Sequence, residues 1–127
     1  MNLQKRVLFI LIFGALTLNV YANPEGENVT SGSATFDRSV ANTLTINTFT
    51  DKTSINYNRF SNTANETIRI NQPSSNSAVL NKVVGADPSE IYGTLLSNGK
   101  IFLVNPNGII FGATAVVNAP AIIASTL

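Results

Sequence analysis

The chain of 127 residues has no cysteine, no histidine and no tryptophan, and only 12% of it is charged. Each absence removes a class of chemistry. Without cysteine and histidine there is no Cys/His zinc site, no thiol nucleophile and no Ser-His-Asp triad. An exported domain of this size that lacks cysteine takes no disulfide staple, so burial and stacking must hold it together. Without tryptophan, sugar stacking is a weak reading of Tyr57, Phe60, Tyr92, Phe102 and Phe111, which read as packing groups. Neither sign of charge dominates, with eight Lys and Arg against seven Asp and Glu. No basic patch or stripe suggests nucleic acid as a partner, and nothing in the sequence asks for a nucleotide or another cofactor.

The chain has one long apolar run. It covers 7–20, interrupted only by Thr17 and Asn19, follows the basic pair Lys5 and Arg6, and leads into Val20-Tyr21-Ala22, a small-residue cleavage signal. This pattern reads as a secretory signal peptide over 1–22, leaving 23–127 as the exported part. A membrane anchor is the alternative, but the run is short for a span and no stop-transfer pattern follows. With Lys5 and Arg6 removed, six basic residues face seven acidic ones, a formal charge of −1.

The stretch 91–112 organises the remainder. Apolar runs flank Asn105-Pro106-Asn107-Gly108, a tight-turn sequence. Proline fixes φ near −65°, Asn105 can accept from the backbone two residues on, and Asn107 and Gly108 tolerate positive φ. The two strands that meet there either fold back as a hairpin or advance around a coil. An internal echo favours the coil. Ile91-Tyr92-Gly93 returns as Ile110-Phe111-Gly112 nineteen positions on, and Ile101-Phe102 as Ile122-Ile123 after twenty-one. A period of about 20 residues with Asn/Gly/Pro corners suits the rungs of a β-solenoid, each of which buries its apolar side only by stacking on the next. A β-sandwich, with short strands at roughly 8–12 residue spacing, remains the other reading.

Elsewhere the alternation is clean. Thr43-Leu44-Thr45-Ile46-Asn47 and Thr67-Ile68-Arg69-Ile70-Asn71 read as half-buried strands with one wet face. The polar stretch 23–33 reads as a mobile lead-in or an edge segment. Residues 74–81 read as turn-like, with Val83 and Val84 re-entering the apolar pattern. Asp87-Pro88-Ser89-Glu90 reads as a turn or the first turn of a helix, and Ser97-Asn98-Gly99 as a corner inviting positive φ. Nothing after Ile123 is polar or long enough to cap an apolar last rung, so the sequence is expected to be the front portion of a longer protein or a truncated product.

Candidate chemistry is thin. Asp37, Asp51, Asp87 and Glu90 are the carboxylates that a polysaccharide-cleaving solenoid would need, yet only Asp87 and Glu90 are neighbours, and they read as solvated corner residues. Asn105 and Asn107 have two readings: amides bonded to backbone at a bend, which the physics favours, or amides presented to a partner. Asn28-Val29-Thr30 and Asn65-Glu66-Thr67 match the N-glycosylation pattern, which arises easily by chance in a Thr- and Asn-rich chain.

Several pieces in fixed order over 43–126 carry a family resemblance. They are Ile55-Asn56-Tyr57-Asn58-Arg59-Phe60, with Tyr57 where the family usually has tryptophan; Asn71-Gln72-Pro73; Leu80-Asn81-Lys82-Val83, with Lys82 for arginine; and Gly85. Ser89-x-Ile91-x-Gly93, Asn98-Gly99, the run from Leu103 through Asn105-Pro106-Asn107-Gly108 to Ile109, Phe111-Gly112 and Ala124-Ser125-Thr126 complete the series. In these the chain resembles the N-terminal two-partner secretion domain, or haemagglutination activity domain, of filamentous-haemagglutinin-like exoproteins.

The resemblance implies an all-β fold, a right-handed parallel β-helix closed at its amino end by a β-cap and here truncated at its C-terminal side. It implies a secretion-targeting and folding-nucleus role, not an enzyme. The expected partners are the general export machinery and an outer-membrane β-barrel transporter that recognises the domain through periplasmic polypeptide-transport-associated domains. Location would be the surface or exterior of a Gram-negative bacterium. Asn105, Pro106, Asn107 and Gly108 carry the secretion-associated motif. The family's second element, Asn-Pro-Asn-Leu, is missing. The alternative role is an adhesin or haemagglutinin binding a host-surface glycan or protein.

Overall fold

A computed structural model describes residues 23–127; the stretch 1–22, expected from the sequence to be a signal peptide, lies outside the described residues. The described chain contains twelve strands and winds as a parallel β-helix of three faces. The first face stacks β3 (Thr43–Thr48), β5 (Thr67–Asn71), β8 (Thr94–Ser97) and β11 (Val116–Asn118). The second stacks β4 (Lys52–Tyr57), β6 (Ala78–Val83), β9 (Lys100–Val104) and β12 (Ile122–Ser125). The third is narrower, with β7 (Ser89–Ile91) paired to β10 (Ile109–Phe111) and a single parallel bridge from Asn62 to Ile91. Each turn visits the three faces in order, and paired positions advance by 20 to 29 residues per turn.

Period-two patterning creates the core. On each strand alternate side chains point inward, and parallel in-register pairing stacks like positions from turn to turn. Leu44, Ile68 and Leu95 form one inward row, and Val79 and Ile101 belong to another; all five are fully buried. The outward rows carry polar residues such as Asn47 and Asn71, whose amides meet at 3.0 Å. The coil therefore prevails over the hairpin and the sandwich, since β9 and β10 lie on different faces.

The amino end is closed by two strands that run against the helical sense. β1 (Asn28–Ser31) pairs antiparallel with β4, and β2 (Ala34–Asp37) antiparallel with β3. Phe36 on β2 meets the Tyr57 ring edge-on at 6.5 Å, and Arg38 closes a two-pronged contact on Glu27 at 2.7 and 3.0 Å. These strands cover the first rung, which would otherwise expose its apolar interior.

Four local expectations need correction. The echo of Ile101 at Ile122 is the real register, but Ile91 pairs with Phe111, not Ile110, so that spacing is twenty residues. Residues 78–81 are strand, not turn. Asn81 disguised this by being polar at an inward position, and Val84, expected inside, is 60% exposed. Ser89 and Glu90 open β7, with no helical turn. The 97–99 corner has no positive φ; among described non-glycine residues only Asn42 has one. Of the two readings of 23–33, the edge segment holds.

Candidate functional site

The 105–108 corner joins β9 to β10 and is bonded to the turns on both sides of it. Gly108 N–H donates to the Asn105 carbonyl at 3.1 Å, closing a turn with Pro106 and Asn107 at its two central positions. Asparagine first, proline second and glycine fourth is the preference of a type I turn. Gly108 itself has φ +120°, a region that side chains avoid. The Asn105 side chain is fully buried. Its amide donates to Asp87 O and to Ser89 Oγ, both at 3.0 Å, and its oxygen accepts from Asn107 N at 2.9 Å. Asn105 N–H reaches forward to Ser125 O at 3.0 Å, while the Asn107 amide reaches back to Gly85 O at 2.9 Å. Pro106 and Asn107 stand exposed on this frame.

The other predicted residues fall mostly into cross-turn pairs. Tyr57 and Asn81 are both fully buried, and the phenol donates to the Asn81 oxygen at 3.0 Å. Asn81 in turn donates to Phe102 O at 3.2 Å. Burial pushes the Tyr57 hydroxyl far above its ordinary pKa, so it remains a donor. Phe60 packs edge-on to Tyr57 at 5.0 Å. The Asn98 side chain pairs with the Gln72 backbone, accepting at 2.7 Å and donating at 2.9 Å, much as a strand would. Gln72 reaches over Gly99 to Ser97 Oγ and Lys100 O, leaving no space for a side chain at 99. Gly85 faces Asn58, Gly93 faces the carbonyls of Thr63 and Glu66, and Gly112 lies under the Tyr92 ring. Ile91 is core. Asn56 and Leu80 face outward, half-buried, and Pro73 is exposed.

Asn62 is the residue that sequence reading missed. It is buried on the third face, accepts from Gly93 N at 2.9 Å and donates to Thr94 O at 3.2 Å. It does at the first turn what Asn105 does at the third. Its only sequence signal was an asparagine just past a buried aromatic.

The candidate carboxylates do not converge on a reaction centre. Asp37 and Asp51 lie at separate corners, where hydrogen bonds from Ser39 and from Ser77 respectively lower their pKa values. Asp87 and Glu90 border a shallow groove of about 360 Å³ with Arg59, Asn62 and Tyr92. There Asp87 is ion-paired to Arg59 at 3.1 Å, and Glu90 accepts from the Tyr92 hydroxyl at 3.3 Å. Among the described residues no group of three or more His, Cys, Asp or Glu could hold a metal ion.

Comparison with known proteins gives this geometry a context. The TPS secretion domain family matches residues 21–127. The chain is 34% identical over 124 residues to a heme/hemopexin-binding protein of the Rd strain of Haemophilus influenzae, covering 94% of this chain and 14% of that protein. It is 28% identical over 126 residues to a second Haemophilus influenzae protein of the same description, covering 99% of this chain and 14% of that one. The chain thus spans about one seventh of the length of these relatives. Among solved structures, the HMW1 secretion domain from Haemophilus influenzae superposes with a TM-score of 0.79 at 38% identity, over 83% of this chain and 28% of that one.

Proposed function

The chain belongs to the TPS secretion domain family, whose members serve the secretion of large exoproteins and are not enzymes, and on that basis we propose that it is the address and folding nucleus of such an exoprotein. In this reading a dedicated outer-membrane β-barrel transporter recognises it in the periplasm, after signal-dependent export across the inner membrane. The observation that carries the reading is the 105–108 corner: an exposed Pro106-Asn107 step mounted on a fully buried Asn105. A buried amide with three bonds fixes the corner, and the exposed step is what a partner would touch.

The strands suit the two halves of that task. Their Thr- and Asn-rich outer faces keep an extended chain hydrated, and an unpaired strand can add to a sheet edge of the transporter by backbone bonding. Outside the cell, each turn that stacks on the capped first turn buries its inward row, which supplies folding free energy and opposes back-sliding.

The test is export of the chain from cells with and without the cognate transporter, in the unchanged form and with Asn107→Ala. Transporter-dependent export that Asn107→Ala abolishes, at unchanged periplasmic level and with stability lowered only by the loss of the exposed bond to Gly85 O, about 0.5 kcal/mol, is the expected result. Equal export of both forms would refute recognition at the corner. A second reading, ligand binding by the domain itself, is favoured by the relatives named for heme and hemopexin binding. Titration of the chain with heme tests it, and a saturable absorbance change is what would support it.

A further inference from the structure

Two Asn-Gly steps, Asn98-Gly99 and Asn107-Gly108, sit at corners of the third turn. Asn-Gly is the dipeptide most open to self-modification, because glycine offers no side chain to obstruct its own nitrogen and little conformational resistance. We propose that Asn107 is a deamidation site gated by folding: stable once the solenoid has closed, and consumed while the chain stays extended. This does not depend on transporter recognition at the corner.

The chemistry needs only water. Hydroxide removes the Gly108 N–H proton, and the nitrogen attacks Asn107 Cγ. The new C–N bond displaces Nδ2 as ammonia and leaves a five-membered imide. Water then opens the imide at either carbonyl, giving aspartate or, with the main chain rerouted through the side chain, isoaspartate.

The folded corner blocks the attack at both ends. The nucleophile is engaged, since Gly108 N–H is donated to Asn105 O at 3.1 Å. The electrophile is tethered, since Asn107 Nδ2 is bonded to Gly85 O at 2.9 Å, and Cγ cannot swing over Gly108 N without breaking that bond. Asn98 is held more firmly. Both atoms of its amide are bonded to the Gln72 backbone, at 2.7 and 2.9 Å, and Gly99 N–H is donated to Ser97 Oγ at 3.1 Å. Both asparagines are exposed, so solvent access does not separate them and hydrogen bonding does.

Modification would not be silent. A carboxylate at 107 turns the donor facing Gly85 O into an acceptor, and isoaspartate lengthens the backbone inside a turn closed by a single hydrogen bond. A chain that lingers unfolded therefore loses the corner irreversibly.

The experiment is peptide mapping by mass spectrometry of the full chain, incubated at mildly alkaline pH in buffer and in urea, with isoaspartate resolved from aspartate. In urea both sites are expected to convert at similar rates. In buffer both are expected to slow by at least about tenfold, the factor for an opening cost of about 1.4 kcal/mol, with Asn98 slower than Asn107. Equal rates at Asn107 in buffer and urea would overturn the proposal, as would Asn98 reacting faster than Asn107 in buffer.

Discussion

Asn105→Ala isolates the physics of the corner. The substitution removes three hydrogen bonds, but their loss is not equal. Asp87 O and Asn107 N belong to exposed residues, and water can replace the amide there. Ser89 is fully buried and its hydroxyl is bonded to the Asn105 amide, so it is left with a buried polar atom and no partner. An orphan of that kind costs about 1–3 kcal/mol, and the two solvated contacts add about 0.5 kcal/mol each. The total is about 2–4 kcal/mol, a large share of the roughly 5–15 kcal/mol that holds a typical domain. With a urea m-value of about 1–3 kcal/mol/M, the unfolding midpoint should fall by about 1 M or more. Ser89→Ala alone loses one bond and leaves an amide that still reaches Asp87 O. In the double substitution the orphan hydroxyl is gone, so the double variant should be more stable than the sum of the singles by about 1 kcal/mol. Additive costs, or a midpoint for Asn105→Ala within error of the parent, would show that the buried amide does not hold the corner.

Other expectations follow the same logic. Tyr57→Phe strips the donor from the buried Asn81 oxygen and should cost about 1–3 kcal/mol in urea unfolding; adding Asn81→Leu, which makes the inward row apolar, should recover most of it. Gly108→Ala meets no atom nearer than Pro88 Cβ at 3.7 Å, so its cost should be torsional only, about 1–3 kcal/mol. Gly93→Ala drives a methyl into two backbone carbonyls and should instead abolish soluble folded protein on size-exclusion chromatography. The Arg38 guanidinium hydrogen-bonded to Glu27 holds that carboxyl below its ordinary 4.5, so the unfolded state binds the proton more readily. The contact therefore contributes fully above about pH 4.5 and is lost as pH falls through the lower folded value. Arg38→Met should flatten that part of the pH dependence of the urea midpoint.

Much of the architecture was legible because a β-helix writes its geometry into short-range patterns. Leu44/Ile46 and Ile68/Ile70 announce their strands by alternation. Ile101 and Ile122 reveal the turn length, since only in-register stacking gives a recurrence at that spacing a physical meaning. The corner at 105–108 was readable as a turn from residue types alone. Where reading failed, polarity misled it. Asn81 and Asn62 look like surface residues until a phenol, a carbonyl or a glycine N–H from another turn satisfies them. Gly99 looks like a positive-φ turn residue, but it is there because the Gln72 side chain crosses above it.

The sequence by itself determined the alternating strands at 43–47 and 67–71, the turn at 105–108 and the apolar members of the inward rows, because alternation, turn chemistry and the need to bury apolar side chains act within a few residues. It also excluded thiol, histidine and disulfide chemistry by composition. Tertiary structure alone decided which polar residues are internal and which turn each one ties to its neighbour. Tyr57 with Asn81, Gln72 with Asn98, Asn62 with Gly93 and Asn105 with Ser89 are 16 to 31 residues apart. A hydrogen bond at that range leaves no local periodicity, and it exists only when the coil has brought successive turns to strand-pairing distance.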